Sequence, residues 1–317
     1  MRKAFIFLTV FIAIAVSSMQ GQKVVYPYPL HYVSLKLEQQ DVRMAYMDIA
    51  PSVANGKTII LFHGKNFNGF YWKDVIPVLS AKGYRVIVPD QVGWGRSDKP
   101  NLHYSFHMLA ANTKYLLDSL GLDKVSVLGH SMGGMLAVRF CLMYPAGVEK
   151  LVLENPIGLE DYQTFIPYQP LQKLFEKESG ATYESYKKYQ QSYYPTWKTA
   201  YEAYVQAQAE ALADPDFQQI AFVNALTYQI IYEQPIVYEL KDLRLPTLLI
   251  IGQEDRTVLG KDLLDASKKS VYGNYPQLGN KTKQLIPNSR LVALRGVGHI
   301  PHIQSTEAFN KLVTDFL

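Results

Sequence analysis

Cysteine is almost missing from this chain: Cys141 is the only one in 317 residues. No internal disulfide can form, and a chain of this length can bury a core large enough to do without one. A surplus of one charge is also lacking, since 32 Lys and Arg stand against 28 Asp and Glu, a formal net charge of +4. Without a basic block or stripe, nothing favours nucleic acid as a partner. The apolar run from Ala4 to Val16 falls short of the ~20 residues a bilayer span needs. It follows Arg2 and Lys3 and precedes small and polar residues from Ser17 to Gly21, the pattern of a cleaved export signal over residues 1–21. With no cysteine near that junction a lipid-modified N-terminus is disfavoured, and the expected destination is periplasmic or extracellular, with no membrane span in the mature chain. Internal repeats and low-complexity tracts are absent as well. Tryptophan is scarce, 3 residues against 23 tyrosines, and the tyrosines crowd between Tyr162 and Tyr238.

What the chain does have is a nucleophile signature in a meaningful context. Gly129-His130-Ser131-Met132-Gly133 is a G-x-S-x-G. The apolar, β-branched Val125, Val127 and Leu128 precede it as a buried strand would. From Met132 to Tyr144 the residues are largely helix formers, and Pro145 stops them. Strand, sharp turn and helix are what a serine held at a strained tip requires, with glycines giving the backbone room. Alone, such a pentapeptide is commonly chance.

The rest of the chain alternates buried strands with helices. Tyr32–Ala50 reads as a hairpin about Gln39-Gln40-Asp41, and Thr58–Phe62, Arg85–Pro89, Lys150–Glu154, Thr247–Ile251 and Arg290–Leu294 read as strands. Helices are expected over Trp72–Ala81, His107–Leu120 and Thr306–Phe316. Tyr272-Gly273-Asn274-Tyr275-Pro276 and the residues between His299 and His302 are expected as loops. This alternation implies an α/β fold with a mainly parallel, doubly wound sheet covered on both faces. Between Ile157 and Leu240 the strand-like runs give way to Tyr-, Gln-, Glu- and Lys-rich helical segments. The expected organisation is therefore a core of residues 22–156 and 241–317 with a helical lid inserted over 157–240.

Acyl transfer by serine needs an imidazole, a carboxylate to hold it, and N–H donors for the oxyanion. In doubly wound sheets such groups collect outside the carboxyl ends of the strands. Ser131, Asp255 and His299 each follow a predicted buried strand, in the order Ser, Asp, His. Glu254, Glu154, Glu160 and Asp161 are the other acids at strand ends. His302, three residues after His299, raises the possibility of a metal pair, but Pro301 between them and the lack of an adjoining Cys or acidic cluster speak against it.

Phe62-His63-Gly64, DQVGWGRSDKP from Asp90, GHSMGG from Gly129, GQEDRTV from Gly252 and GVGHIPH from Gly296 together resemble the α/β-hydrolase family of esterases, epoxide hydrolases and dehalogenases. The resemblance covers the chain from about Lys57 to its end, apart from the helical insertion. It implies Ser131 as nucleophile, His299 as general base and then acid, and Asp255 as the orienting carboxylate. It further implies the backbone N–H groups of Met132 and Lys65 as oxyanion donors and the Asp90–Ser97 turn as a structural element beside the site. The loop Lys65-Asn66-Phe67-Asn68-Gly69 departs from the aromatic and proline that relatives often carry there. Serine rather than aspartate at the elbow disfavours epoxide-hydrolase and dehalogenase chemistry. The expected function is hydrolysis of a small or medium ester or lactone through an acyl-enzyme, with no metal or organic cofactor and a small molecule as partner. The alternatives are hydrolysis of a carbon–carbon bond beside a carbonyl, and a sensor that binds without turnover. The tyrosines of the insertion, Tyr183, Tyr186, Tyr193, Tyr201 and Tyr204 with Trp197, read first as a packing face, some of whose rings reach the substrate.

Overall fold

The computed structural model describes residues 23–317; the export signal expected over residues 1–21 lies outside them. Eight strands form one sheet: β1 (Leu30–Leu37), β2 (Gln40–Ile49), β3 (Thr58–Phe62), β4 (Arg85–Pro89), β5 (Val125–His130), β6 (Val148–Glu154), β7 (Thr247–Gly252) and β8 (Ser289–Leu294). Their spatial order is β1-β2-β4-β3-β5-β6-β7-β8. β1 and β2 form an antiparallel hairpin, and β2 pairs antiparallel with β4. Every pairing from β4 through β3 to β8 is parallel. The hairpin turns at Glu38 and Gln39, both with positive φ, the backbone that a tight two-residue connection needs.

Alternation along the central strands divides the core between the two faces of the sheet. Ile60 and Phe62 of β3 and Val125 and Val127 of β5 pack with Phe106, Leu109, Leu136 and Phe140 on one face. Ile59 and Leu61, with Leu128 of β5, pack with Trp72, Ile76, Leu79, Phe309 and Val313 on the other. Every residue of β3, β5 and β7 is buried, whereas the edge strand β8 is half-exposed along its length. Cys141 is buried in the first of these clusters, and burial pushes its thiol up, so it acts as a small apolar residue.

Three local expectations are corrected. A 3₁₀ turn at Gly69–Trp72 and a helix limited to Ile76–Ala81 replace one helix over Trp72–Ala81, with Pro77 in the first helical turn. The segment around Tyr272–Pro276 is not simply a loop: Asn274 caps a helix over Tyr275–Leu285 by accepting the Gln277 N–H, and Pro276 sits in its first turn. Likewise Pro301 opens a short helix, Pro301–Gln304, that carries His302. Proline at these positions starts a helix because the N–H it lacks has no intrahelical partner there.

From Asn155 to Pro246 the described residues hold only helices and turns. The helices are Leu171–Ser179, Tyr183–Gln191, Glu202–Ala209 and Phe217–Glu233. Partly buried ion pairs tie this segment to the loops at the strand ends: Arg96 with Glu210 at 2.5 Å and Lys65 with Glu178 at 3.4 Å.

Candidate active site

The sheet register brings five strand ends together. Phe62 lies opposite Gly129, His130 opposite Glu154, and Glu154 opposite Ile250, while Gly252 pairs with Leu294. Ser131 leaves β5 with φ 55° and ψ −120° and caps the helix Met132–Met143. For a non-glycine residue this backbone is strained, at a cost of roughly 1–3 kcal/mol. Here it is held on both sides, by the Ser131 N–H donating to the Glu154 carbonyl at 3.1 Å and the Gly134 N–H donating to the Ser131 carbonyl at 2.9 Å. The turn is tight enough to require its glycines: a Cβ on Gly133 would lie 2.2 Å from the Phe62 carbonyl oxygen, and one on Gly129 2.2 Å from that of Gly133.

His299 and Asp255 meet Ser131 as the sequence order implied. The Ser131 hydroxyl lies 2.9 Å from His299 Nε2, and His299 Nδ1 lies 2.7 Å from Asp255 Oδ2. The Nδ1–H donates to the carboxylate, which leaves Nε2 free to accept the serine proton. Burial alone raises the Asp255 carboxyl. The adjacent imidazole and the Thr257 N–H, which donates to Oδ1 at 2.8 Å, outweigh it and hold the carboxyl below its ordinary value. Ser131 is 7% exposed and His299 and Asp255 1% each, so the group reaches solvent mainly through the serine.

Asn155 was missed by sequence reasoning. Its side-chain N–H donates to Asp255 Oδ2 at 2.7 Å, while its Oδ1 accepts the Gly252 N–H at 2.9 Å. It thus fixes the carboxylate against the end of β7. Its φ of 36° is one that asparagine tolerates better than most residues. The signal was present as an Asn-Pro pair directly after a strand, which reads only as a strand terminator.

Of the other acids, Glu254 points to solvent and the remaining three have separate partners. Glu160 accepts the Gly273 N–H, and Asp161 caps a 3₁₀ turn. Glu154 is buried and takes the backbone N–H of His302 at 2.7 Å and its Nδ1 at 2.9 Å. His302 therefore has its own carboxylate, and its ring lies in the core, stacked on Trp72 at 4.3 Å and edge-on to Tyr71 at 4.6 Å. Burial lowers the His302 imidazole to about 3 and raises Glu154 to about 7. His299 and His302 thus face different acids rather than a shared centre.

The residues named for the oxyanion flank the serine. Met132 opens the helix after Ser131, where the first N–H groups have no intrahelical partner. Gly64, just before Lys65, packs so closely that a Cβ there would lie 3.3 Å from the Ser131 Cβ. Its N–H donates to the Tyr71 hydroxyl at 2.8 Å. The Lys65 carbonyl accepts the Trp94 indole N–H at 2.7 Å. The Asp90 turn is structural, its carboxylate accepting from the Gly69 and Arg96 N–H groups and the Tyr26 hydroxyl.

A cavity of about 260 Å³ is lined by Lys65, Asn66, Trp94, Lys99, Tyr186 and Asn224 among others. Ser131 is not in its wall. The cavity shares the Lys65–Asn66 loop with the triad and lies beside it. Of the insertion's tyrosines, Tyr194 and Tyr201 stack on each other at 4.1 Å, a packing role. Tyr193 instead stacks on the His299 imidazole at 4.8 Å.

Residues 57–306 match the family described as alpha/beta hydrolase fold. A probable hydrolytic enzyme of known structure from Pseudomonas aeruginosa PAO1 is 45% identical, with a TM-score of 0.91 over 92% of this chain and 95% of that one. A 2-hydroxy-6-oxononadienedioate/2-hydroxy-6-oxononatrienedioate hydrolase from Dechloromonas aromatica is 29% identical over 90% of this chain and 94% of its own. A 2-hydroxy-6-oxo-6-phenylhexa-2,4-dienoate hydrolase from Comamonas testosteroni is 27% identical over 83% and 88%.

Proposed function

Because the chain belongs to the alpha/beta hydrolase fold family, we propose that it is a serine hydrolase that cleaves a carbon–carbon bond beside a ketone in a small unsaturated substrate. The observation that carries the serine chemistry is the unbroken run Ser131 Oγ, His299 Nε2, His299 Nδ1, Asp255 Oδ2, with contacts of 2.9 and 2.7 Å. The choice of bond is supported by relatives whose names specify hydrolysis of 6-oxo-dienoates. This favours the alternative over the ester or lactone first expected.

In this reading His299 takes the Ser131 proton as Oγ adds to the ketone carbon. The Met132 and Lys65 N–H groups receive the oxyanion. His299 returns the proton to the departing carbon fragment, which the conjugated system stabilises as an enol. Water, deprotonated by His299, then releases the acyl group as a carboxylic acid. The segment 157–240 serves as a lid over the strand ends, with the substrate entering beside the Lys65–Asn66 loop. Residues 1–21 direct export.

Ester or lactone hydrolysis stays as a second reading for one reason. A dienoate carries a carboxylate, and Lys65, the cation on the loop beside the serine, is already paired with Glu178 at 3.4 Å. The insertion holds no arginine. At that loop and in the insertion a substrate without a free carboxylate fits better, while Lys99 in the cavity wall, bonded to the carbonyls of Gly95 and Ser97, is the cation a dienoate would use. Comparing kcat/KM for a 2-hydroxy-6-oxo-6-phenyl-dienoate with that for a short aryl ester decides between them. A larger value for the dienoate is expected, and a preference for the ester by tenfold or more (about 1.4 kcal/mol) would reverse the assignment.

A further inference from the structure

Tyr193 stands 106 positions before His299 and belongs to the helical insertion, yet it contacts the site in three ways. Its carbonyl accepts the His299 N–H at 2.8 Å. Its ring lies against the His299 imidazole, centroids 4.8 Å apart and planes 29° apart. Its hydroxyl accepts the Asn66 side-chain N–H at 2.9 Å, and Asn66 follows Lys65 in the loop assigned to the oxyanion. The fit leaves no slack, since a Cβ on Gly298 would sit 2.1 Å from the Tyr193 carbonyl oxygen and 3.0 Å from Pro195 Cδ. Tyr193 is buried, 6% exposed.

We propose that Tyr193 is a positioning residue through which the insertion sets the base: the ring holds the His299 imidazole in plane for Ser131, and the hydroxyl holds the Asn66 loop at the matching distance. The proposal rests on the reading of Ser131 as nucleophile and His299 as base. His299 otherwise follows a run of loop after β8, its side chain held at its two ring nitrogens, with the His130 ring tilted 4.9 Å away and Tyr275 edge-on at 6.3 Å. A face of the imidazole left open would permit rotation about its side-chain bonds, and the ring of Tyr193 closes that face. If the insertion swung away, the His299 N–H bond, the stacking and the Asn66 bond would be lost together, so that base and oxyanion loop are aligned only with the insertion seated.

The test is the rate at which a fluorophosphonate labels the full-length protein, followed by intact mass, because this reads serine activation without needing the natural substrate. Ser131→Ala and His299→Ala establish the premise. If Ser131→Ala still labels at the wild-type rate, the functional reading fails, and the positioning proposal with it. Given that premise, Tyr193→Leu is expected to slow labelling by about 10- to 100-fold, the scale of a small misplacement of a reacting group. Tyr193→Phe, which keeps the ring, is expected to recover all but about fivefold. Labelling of Tyr193→Leu within twofold of wild type would overturn the proposal. Should Tyr193→Leu not fold, Asn66→Ala, Tyr193→Phe and their double variant carry the test. A double variant no slower than the slower single supports a shared contact. Fully additive losses, or none, contradict it.

Discussion

Two histidine–carboxylate pairs lie three residues apart in this protein, and they share nearly the same contact geometry. His299 Nδ1 meets Asp255 at 2.7 Å, and His302 Nδ1 meets Glu154 at 2.9 Å. Both are buried. What separates them is the far side of each ring. Nε2 of His299 faces a hydroxyl on a strained turn, whereas Nε2 of His302 is buried with no partner among the described residues, between Trp72 and Tyr71. The carboxylates diverge accordingly. Asp255 accepts further N–H groups from Asn155 and Thr257 and is held ionised. Glu154 is pushed up by burial more than its neighbours bring it down. A buried His–acid pair becomes a catalytic unit only where its outer nitrogen has a reactive partner and its acid is held charged.

The largest way to break this contrast is to remove the histidines in turn. His299→Ala should lower kcat by about 10⁴-fold or more. His302→Ala should lower it far less and instead lower the thermal midpoint, by leaving Glu154 buried without its partner. Equal losses of kcat in the two variants would erase the distinction. Next in size, Asp255→Asn should cost about 10³–10⁴ in kcat by misassigning the His299 tautomer, while Glu154→Gln keeps the shape and should leave most of the rate. Asn155→Ala should fall between, about tenfold, because one of several donors to Asp255 is lost. It should also shift the acid side of the kcat/KM profile, which a purely structural loss would not.

The smallest effect is on stability against pH. Glu154 is raised to about 7, so its contribution is full below about 4.5 and is lost as pH rises through about 7. His302 is lowered to about 3, so its contribution is present above about 6.5 and is lost as pH falls. Glu154→Gln removes only the first. Its melting temperature relative to wild type should therefore climb between pH 5 and pH 8, measured by thermal scans across that range, and a flat difference would contradict the assignment.

The meeting of Ser131, Asp255 and His299 was legible in the sequence because each directly follows an apolar run that forms a strand, and parallel strands in one sheet put such positions at one edge. The second pair was not. Glu154 and His302 are 148 positions apart, and neither sits in a motif that names a partner. Asn155 follows a strand without any motif and Tyr193 reads as one aromatic in a stripe, since their roles depend on which distant residue the fold brings beside them. Pro276 and Pro301 misled the reading of local structure, because proline after a turn marks either a loop or the first turn of a helix, and only the cap at Asn274 or the packing of His302 decides which.

The central claim is that Ser131 carries the reaction, and it is tested most directly by turnover of a 6-oxo-dienoate and an aryl ester by Ser131→Ala beside the wild type. The account predicts a loss of kcat on whichever compound the wild type turns over of about 10⁴-fold or more, with the fold intact by circular dichroism. Turnover by the variant within tenfold of the wild type would contradict it.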